Sequence, residues 1–343
     1  MSAVQPLRPP TGRRTSSGAQ ASSGTLPAVL LSAFALSGCA AGAAQVVDGP
    51  SPLAELAVLG SIRTQAQPSP GAEVTGHNMR VHEAPDEPPR LPADEVPMVD
   101  DELVVGLVVD GHPVAYPMRF LNLVEVVNDR VSDTPVVISW CPLAGTAATF
   151  HRRVGDETRT FHFGTSLIHD SLLLVDEESG SVWAQVPRRA ISGPLRDEHL
   201  TVIPSIQTTW GFWRSQHPDT EVMVFPSEEG LPYHYADFEA DHFPNPPPEV
   251  HDPSTLGVGI VQGDDSWFFP FRELELAQPE EITFADGALR VRYEAEGMTA
   301  WVEDEDGRMV DSQVAYERAW LAFYPDSRIY RESSRDHFPS PGL

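Results

Sequence analysis

Two stretches of the chain, residues 103–121 and 256–274, resemble each other and thereby limit the folds available to it. Aligned without gaps, they match at 7 of 19 positions, including Gly106 with Gly259. Each copy places a turn between two β-type runs. A second pair of similar segments, WRSQHPD from Trp213 and WLAFYPD from Trp320, follows in the same order. Two echoes in one order predict a degenerate duplication.

The rest of the pattern predicts a β-rich α+β fold. Short runs of β-branched and aromatic residues alternate with turn signals, and helical spacing is confined to residues 120–127 and 208–217. We therefore predict two degenerate repeats of a strand-hairpin, helix and strand unit, one over 100–225 and one over 254–333. The first is longer by about 46 residues, which we interpret as a large insertion around the stretch 163–186.

The N-terminus has the features of an export signal. Three arginines and no acid precede an apolar run of 11 residues, 26–36. This run is too short to span a bilayer but suits a signal peptide. It ends in Leu36-Ser37-Gly38-Cys39, which resembles the lipobox of bacterial lipoproteins. We predict a signal peptide over 1–38 and lipidation of Cys39, with a plain secretory signal as the alternative; the export route stays open.

Two further segments are predicted to lie outside the repeats. Residues 39–99 are rich in Ala, Pro, Gly and acids, which is typical of a flexible tether, here a lipid-anchored one, with some order near its end. Residues 226–253 form an acidic, Pro-rich connector between the copies. The connector holds several His, Asp and Glu residues without a fixed ligand spacing, so no metal site is predicted there.

The charge balance limits the possible partners. The chain has 23 basic and 50 acidic residues, a formal net charge of −27. Such a field repels phosphate backbones and anionic lipid. We therefore predict no nucleic-acid partner, a membrane association through the lipid anchor, and an unknown ligand or protein as partner. The protein is expected to be exported and anchored at the cell surface or the periplasmic side.

Cys141 is the second of two cysteines. If Cys39 is acylated, Cys141 has no partner for a disulfide within the chain. It follows a strand-type run and begins a Pro-Leu-Ala-Gly turn. Three interpretations stay open: a small buried hydrophobe, a ligand or redox thiol, or a nucleophile served by a nearby histidine.

An ordered set of motifs runs from about residue 100 to residue 330. They are Ala115-Tyr116-Pro117, Arg119, Asn122, Glu125, Val127-Asn128-Asp129, Cys141-Pro142-Leu143, Gly145-Thr146-Ala147, Phe163-Gly164, Ser166, Asp176, Ser181, Trp183, Gln185, Gly193-Pro194-Leu195, Thr208-Thr209-Trp210 and His217-Pro218-Asp219-Thr220. In these motifs the chain resembles the domain-of-unknown-function family 3179. The resemblance implies an exported or lipid-anchored protein without an established activity.

The chain departs from the pattern of that family at two places. Members usually have Cys-Pro-Leu-Cys, whereas the second cysteine is replaced here by Ala144. They usually have Trp-His before the glutamate, and Leu123 and Val124 stand there instead. A cysteine pair with a histidine would suit redox or metal chemistry. Since two of these three groups are missing, we predict no cofactor and no tightly bound transition metal.

The turn at Cys141 and the extra 163–186 stretch both belong only to the first copy. If they meet in space, they build a pocket on one side of the scaffold. The candidate site residues are Cys141, Thr146, His169, Asp176, Trp183 and Asn128. For Asp176 a solvated turn, and for Trp183 the core, are the alternatives.

Two functions remain open for this site. The first is an extracytoplasmic binding or interaction module with a cleft near the Cys141 turn, and a hindered thiol favours it. The alternative is an extracytoplasmic thiol-dependent enzyme or redox protein centred on Cys141, which an exposed thiol with a lowered pKa favours. Whether the protein is an enzyme stays undecided at this point.

Overall fold

The computed structural model describes residues 75–76, 83–224, 255–277, 281–285 and 287–333. Cys39 and the connector over 226–253 lie outside these ranges. The helices are short, seven residues each: α1 (Met118–Val124), α2 (Trp210–Gln216), α3 (Phe271–Ala277) and α4 (Glu317–Phe323). Within the described ranges, no helix has the length and apolar character needed to cross a bilayer.

Strands make up most of the ordered backbone. They are β1 (Thr75–Gly76), β2 (Arg90–Pro92), β3 (Leu103–Val109), β4 (His112–Pro117), β5 (Val126–Val131), β6 (Thr134–Cys141), β7 (Thr146–His151), β8 (Arg153–Val154), β9 (Glu157–Thr158), β10 (Phe161–Ile168), β11 (Ser171–Asp176), β12 (Val182–Ala184), β13 (Arg189–Ser192), β14 (Ser205–Thr209), β15 (Glu221–Met223), β16 (Leu256–Gln262), β17 (Asp265–Pro270), β18 (Ile282–Phe284), β19 (Leu289–Glu294), β20 (Thr299–Asp304), β21 (Met309–Val310), β22 (Ser312–Tyr316) and β23 (Arg328–Ile329).

These strands form five small sheets and one two-stranded ribbon, β8-β9. Sheet 1 has the order β14-β3-β4-β15-β2, sheet 2 is β5-β6-β7, and sheet 3 is β1-β10-β11-β12-β13. Sheet 4 has the order β22-β16-β17-β23, and sheet 5 is β18-β19-β20-β21. The five sheets are arranged as in a five-bladed β-propeller.

The predicted fold class, a two-repeat α+β unit, is therefore wrong. Half of the described structure is strand and only 16% is helix, and the sheets number five. The stretch over 163–186 is not an insertion into one half, because it supplies β11, β12 and part of β10 to a sheet of its own. The error arose because the pattern around 103–121 and 256–274 marks single sheets, while the residues between the two segments and those after the second build further sheets.

The two echoed segments do occupy corresponding places in sheets 1 and 4. A Cβ atom added to Gly106 would lie 2.3 Å from the indole of Trp213, and one added to Gly259 would lie 2.4 Å from the indole of Trp320. In both sheets the second strand of the hairpin, β4 or β17, also pairs in parallel with a short strand. This short strand follows the helix that carries Trp213 or Trp320. Both glycines are therefore needed so that a helix can lie closely on its sheet.

We expect Gly106→Ala to lower the free energy of unfolding by about 3 kcal/mol, because the new methyl group overpacks a core that the buried indole already fills. Urea unfolding followed by tryptophan fluorescence measures the change. Gly111→Ala, in the turn of the same hairpin, is the comparison: no atom lies within 4 Å of its Cβ position, so its loss comes only from its φ of 80° and should be about 1 kcal/mol. Equal losses in the two variants would contradict the close packing of Trp213 on Gly106.

The ordered fold begins before residue 100. Strand β2 pairs with β15, and Arg90 donates from Nη2 to Oδ1 of the buried Asp129 at 2.8 Å. The Tyr116 hydroxyl donates to the other carboxylate oxygen at 2.6 Å. A charged hydrogen bond to a buried carboxylate is among the stronger polar contacts in proteins, so the end of the predicted tether is held against sheets 1 and 2.

Candidate functional site

The Cys141 turn joins β6 to β7 and is held from the other side by sheet 4. Cys141 pairs with Thr146 across the turn, and Gly145 has a φ of 63°, where a Cβ would lie 2.6 Å from the Tyr316 ring. The backbone N–H of Tyr316 donates to the Ala144 carbonyl at 2.8 Å. Glycine is needed here both for the left-handed backbone and for the approach of the ring.

The Cys141 thiol points into the protein. It is 1% exposed and donates to the backbone carbonyl of Asp170 at 3.3 Å. Burial, with the neighbouring Glu125 carboxyl as the second cause, raises the pKa of this thiol to about 12. A nucleophile or a metal ligand must be a thiolate, so near neutral pH Cys141 is in the wrong protonation state for either role.

Glu125 lies beside this thiol. It ends α1 in the left-handed conformation, with φ of 53°, and its carbonyl accepts from the Trp140 N–H at 2.8 Å. The residue is 2% exposed, and burial raises the pKa of its carboxyl to about 8. The carboxyl is therefore mostly protonated at pH 7, so the acid and the thiol lie together as two neutral groups.

Further buried polar side chains surround the turn. Gln185 donates from Nε2 to the Ser139 hydroxyl at 3.0 Å and, more weakly, to the Thr146 carbonyl at 3.4 Å. Within the described part of the chain, the Gln185 Oε1 atom and the hydroxyls of Thr146 and Ser171 have no hydrogen-bond partner. Unsatisfied buried polar atoms cost free energy, which marks this cluster as more than packing.

The family motifs converge on this cluster. Glu125, Cys141, Thr146 and Gln185 belong to four separate motifs, yet their side chains or backbones surround one turn. Sequence reasoning selected Cys141 and Thr146 as site residues and missed the other two. The signal that could have found them was their membership in the same motif set.

His169 lies on the loop that the thiol contacts. His169 and Asp170 both have positive φ values, 52° and 60°, and the His169 ring packs edge-on against Phe323 with centroids 5.0 Å apart. The Asp170 carboxylate pairs with Arg318, which also donates to the Leu143 carbonyl at 2.9 Å. The structure thus brings the 163–186 stretch and the Cys141 turn together.

Asp176 and Trp183 lie in the core of sheet 3, and neither has any exposed surface. The Asp176 carboxylate accepts from the Trp183 Nε1 at 2.8 Å and from both the backbone N–H and the hydroxyl of Ser179 at 2.7 Å. The Trp183 ring makes an edge contact with Phe161 at 6.2 Å. Their contacts position the 169–183 loops and offer no surface to a ligand.

Asn128 connects two sheets. Its side chain donates to the Phe161 carbonyl and accepts from the Phe161 N–H, both at 2.9 Å. β5 and β10 do not pair through their backbones, and the two hydrogen bonds of the Asn128 amide connect them instead. Because Asn128 is fully buried, it organises the scaffold behind the turn.

A crevice opens on the other side of β7. Its walls are residues 147–150 of β7, residues 202–205, residues 309–313 and Arg188. The cavity measures about 20 Å³ of space open to the centre of a water molecule, which is room for one or two waters. Arg188 and Asp311 form an ion pair at its rim.

Two positions at which the family usually has a cysteine and a histidine hold apolar residues here. Ala144 and Val124 are both fully buried and pack in hydrophobic clusters. Throughout the residues that the structure describes, no group of three or more His, Cys, Asp or Glu side chains could hold a metal ion.

The fold and site together define a propeller-like β protein. It has a buried cluster of motif residues around the Cys141 turn and a small surface crevice. The chain belongs to the protein family of unknown function DUF3179, whose model matches residues 84–329. This match confirms the expected resemblance and extends it back to residue 84. No curated protein and no solved structure matches the chain significantly.

Proposed function

We propose that this protein is a lipid-anchored binding module that works outside the cytoplasm and takes its ligand in the crevice beside β7. The observation that carries the proposal is the burial of the Cys141 thiol, which is 1% exposed with a pKa raised to about 12. A thiol in this state packs and donates a hydrogen bond, and it does not attack a substrate.

The arrangement of the motifs supports the same proposal. The buried cluster around Cys141 fixes the turn, and β7 leaves that turn at Thr146 to form one wall of the crevice. Binding sites are generally clefts whose walls are held by a rigid scaffold. The motifs of the family would then be retained for the shape of this wall.

Thiol chemistry at Cys141 is a second candidate because Glu125 lies beside the thiol, where an acid could serve as a proton acceptor. Two features weigh against it. Glu125 holds its own proton at neutral pH, since burial raises its pKa to about 8. The thiol also faces the Asp170 carbonyl, so a substrate would first have to displace a protein hydrogen bond.

The reactivity of the thiol separates the two candidates. In full-length protein carrying Cys39→Ser, so that Cys141 is the only thiol, we expect labelling by a disulfide reagent at pH 8 to be at least about 100-fold slower than for a free thiol, because the thiolate is scarce and shielded. Urea should restore full labelling. Fast labelling of the native protein, abolished by Cys141→Ser, would overturn the binding-module proposal in favour of thiol chemistry.

The anchor is tested separately. We expect the mature protein to begin at Cys39 with a diacylglyceryl group, as the lipobox-like Leu36-Ser37-Gly38-Cys39 indicates. Mass spectrometry of the N-terminal peptide measures this directly. Cys39→Ser should release the protein from the membrane fraction, whereas Cys141→Ser should not. An unmodified N-terminus elsewhere in the chain would contradict the lipid anchor.

A further inference from the structure

We propose that the crevice beside β7 recognises a primary carboxamide group, bound by Gln313 and Asp311. This assignment deepens the proposed function and rests on it, since it names the ligand chemistry of the same crevice. Unpaired polar atoms line the crevice, the charges at its rim balance, and the space is small.

Gln313 is the central group. Gln313 is 4% exposed. Neither its amide nitrogen nor its amide oxygen has a hydrogen-bond partner among the described residues. Its backbone is held in β22 opposite Gly259 of β16, so the side chain is presented from a regular strand. A buried amide without partners costs about 1–3 kcal/mol for each unsatisfied group, and a ligand that pairs with both atoms would recover this.

Asp311 adds a second acceptor. One carboxylate oxygen pairs with Arg188, while the other, Oδ1, is buried and lacks a partner within the described ranges. Arg188 is positioned on its turn by two backbone hydrogen bonds, from its own N–H to the Gln185 carbonyl at 3.2 Å and from the Leu200 N–H to its carbonyl at 2.9 Å. The guanidinium therefore holds Asp311 with Oδ1 available to a ligand.

The charges at the rim select an uncharged ligand. Arg188 and Asp311 neutralise each other, so the crevice offers no spare cation to a carboxylate and no spare anion to an ammonium group. Burying an unpaired ligand charge here would cost far more than burying a neutral polar group. A neutral ligand that both donates and accepts is the one that matches the unpaired atoms.

Among neutral groups, the carboxamide fits best. Its N–H and C=O lie side by side, so Gln313 can accept from one and donate to the other, while the second N–H of a primary amide reaches Asp311 Oδ1. A sugar is less suitable because the aromatic residue of the lining, Phe150, is fully buried and offers no ring face for stacking. The space suits a head group of a few atoms, with the rest of the ligand outside.

The test is a titration of the full-length protein, followed by NMR of the backbone amides of Ala148 and Ser312. The probes are acetamide, N,N-dimethylacetamide, acetate and glycerol. We expect saturable shifts with acetamide and at least tenfold weaker binding of dimethylacetamide, which has no N–H. Equal binding of the two amides, or no saturation with acetamide, would overturn the assignment without requiring any variant.

Gln313→Leu should weaken acetamide binding at least tenfold while keeping the fold, since replacing an unsatisfied amide with an apolar group of similar size is nearly neutral or stabilising. Gln262→Leu, at an exposed position of β16, should bind acetamide like the wild type. Unchanged binding by Gln313→Leu would also overturn the assignment. If glycerol binds and acetamide does not, the carboxamide is wrong and the binding module stands, because that proposal is decided by the reactivity of Cys141.

Discussion

Asp176→Ala is expected to lower the free energy of unfolding by about 3–5 kcal/mol, the range found when one partner of a buried charged network is removed. The variant leaves the Trp183 Nε1–H and the Ser179 N–H and hydroxyl without their acceptor. It also removes the carboxylate that Arg159 faces at 3.8 Å. Denaturant unfolding followed by circular dichroism measures the loss.

The neighbouring acid provides the control. The Glu177 side chain is 69% exposed, and its carboxylate lies 3.4 Å from the His162 Nε2 atom. Exposed pairs of this kind contribute about 0–1 kcal/mol, so Glu177→Ala should be close to the wild type. If Asp176→Ala is as stable as Glu177→Ala, then Asp176 does not hold the loop of sheet 3.

Glu125→Gln is expected to change how stability depends on pH. Burial in the folded protein raises the pKa of Glu125 from its ordinary value of 4.5 to about 8, so between these values the folded state binds more protons than the unfolded state. Stability from this group is therefore fully present below pH 4.5 and is lost as pH rises through 8. A shift of this size corresponds to about 5 kcal/mol at most.

The measurement compares wild type and Glu125→Gln by urea unfolding at pH 5, 7 and 9. Gln cannot ionise, so the variant should gain on the wild type by a few kcal/mol between pH 5 and pH 9. Cys141 stays protonated over this range, as its pKa is raised to about 12. Glu177→Gln, at an exposed position, should follow the wild type throughout. Parallel curves for wild type and Glu125→Gln would show that the Glu125 carboxyl is solvated.

Local signals in the sequence predicted local structure well. The strand Leu103–Val109 and its turn at Asp110-Gly111 are confirmed, with both turn residues at positive φ. The helical interpretation of residues 120–127 is wrong at its end, because Glu125 stops the helix and Val126–Val131 is a strand. Asn128 and Asp129 in this strand are buried and paired with residues from other strands.

The arrangement of the sheets depended on contacts that sequence patterns do not contain. Sheet 1 combines strands from residues 90–117 with strands from residues 205–223, and no local spacing encodes such a pairing. The candidate site shows the same limit. The meeting of the Cys141 turn with the 169–170 loop could be inferred, and burial was one of the interpretations of Cys141. The opposing wall at 309–313 could not be inferred.

Sheet 1 is built from two parts of the chain that are far apart in sequence, and this affects how the chain folds. Between its two groups of strands lie residues 118–204, which contain all of sheet 2 and most of sheet 3. During synthesis the first hairpin, β3-β4, must wait for β14 and β15 before its edges are covered, and pairing so distant in the chain makes folding slow. Exposed edges invite association in the meantime. Nascent chains that end before residue 205 should therefore be a natural substrate for chaperones, whereas those that extend past residue 223 can close the sheet.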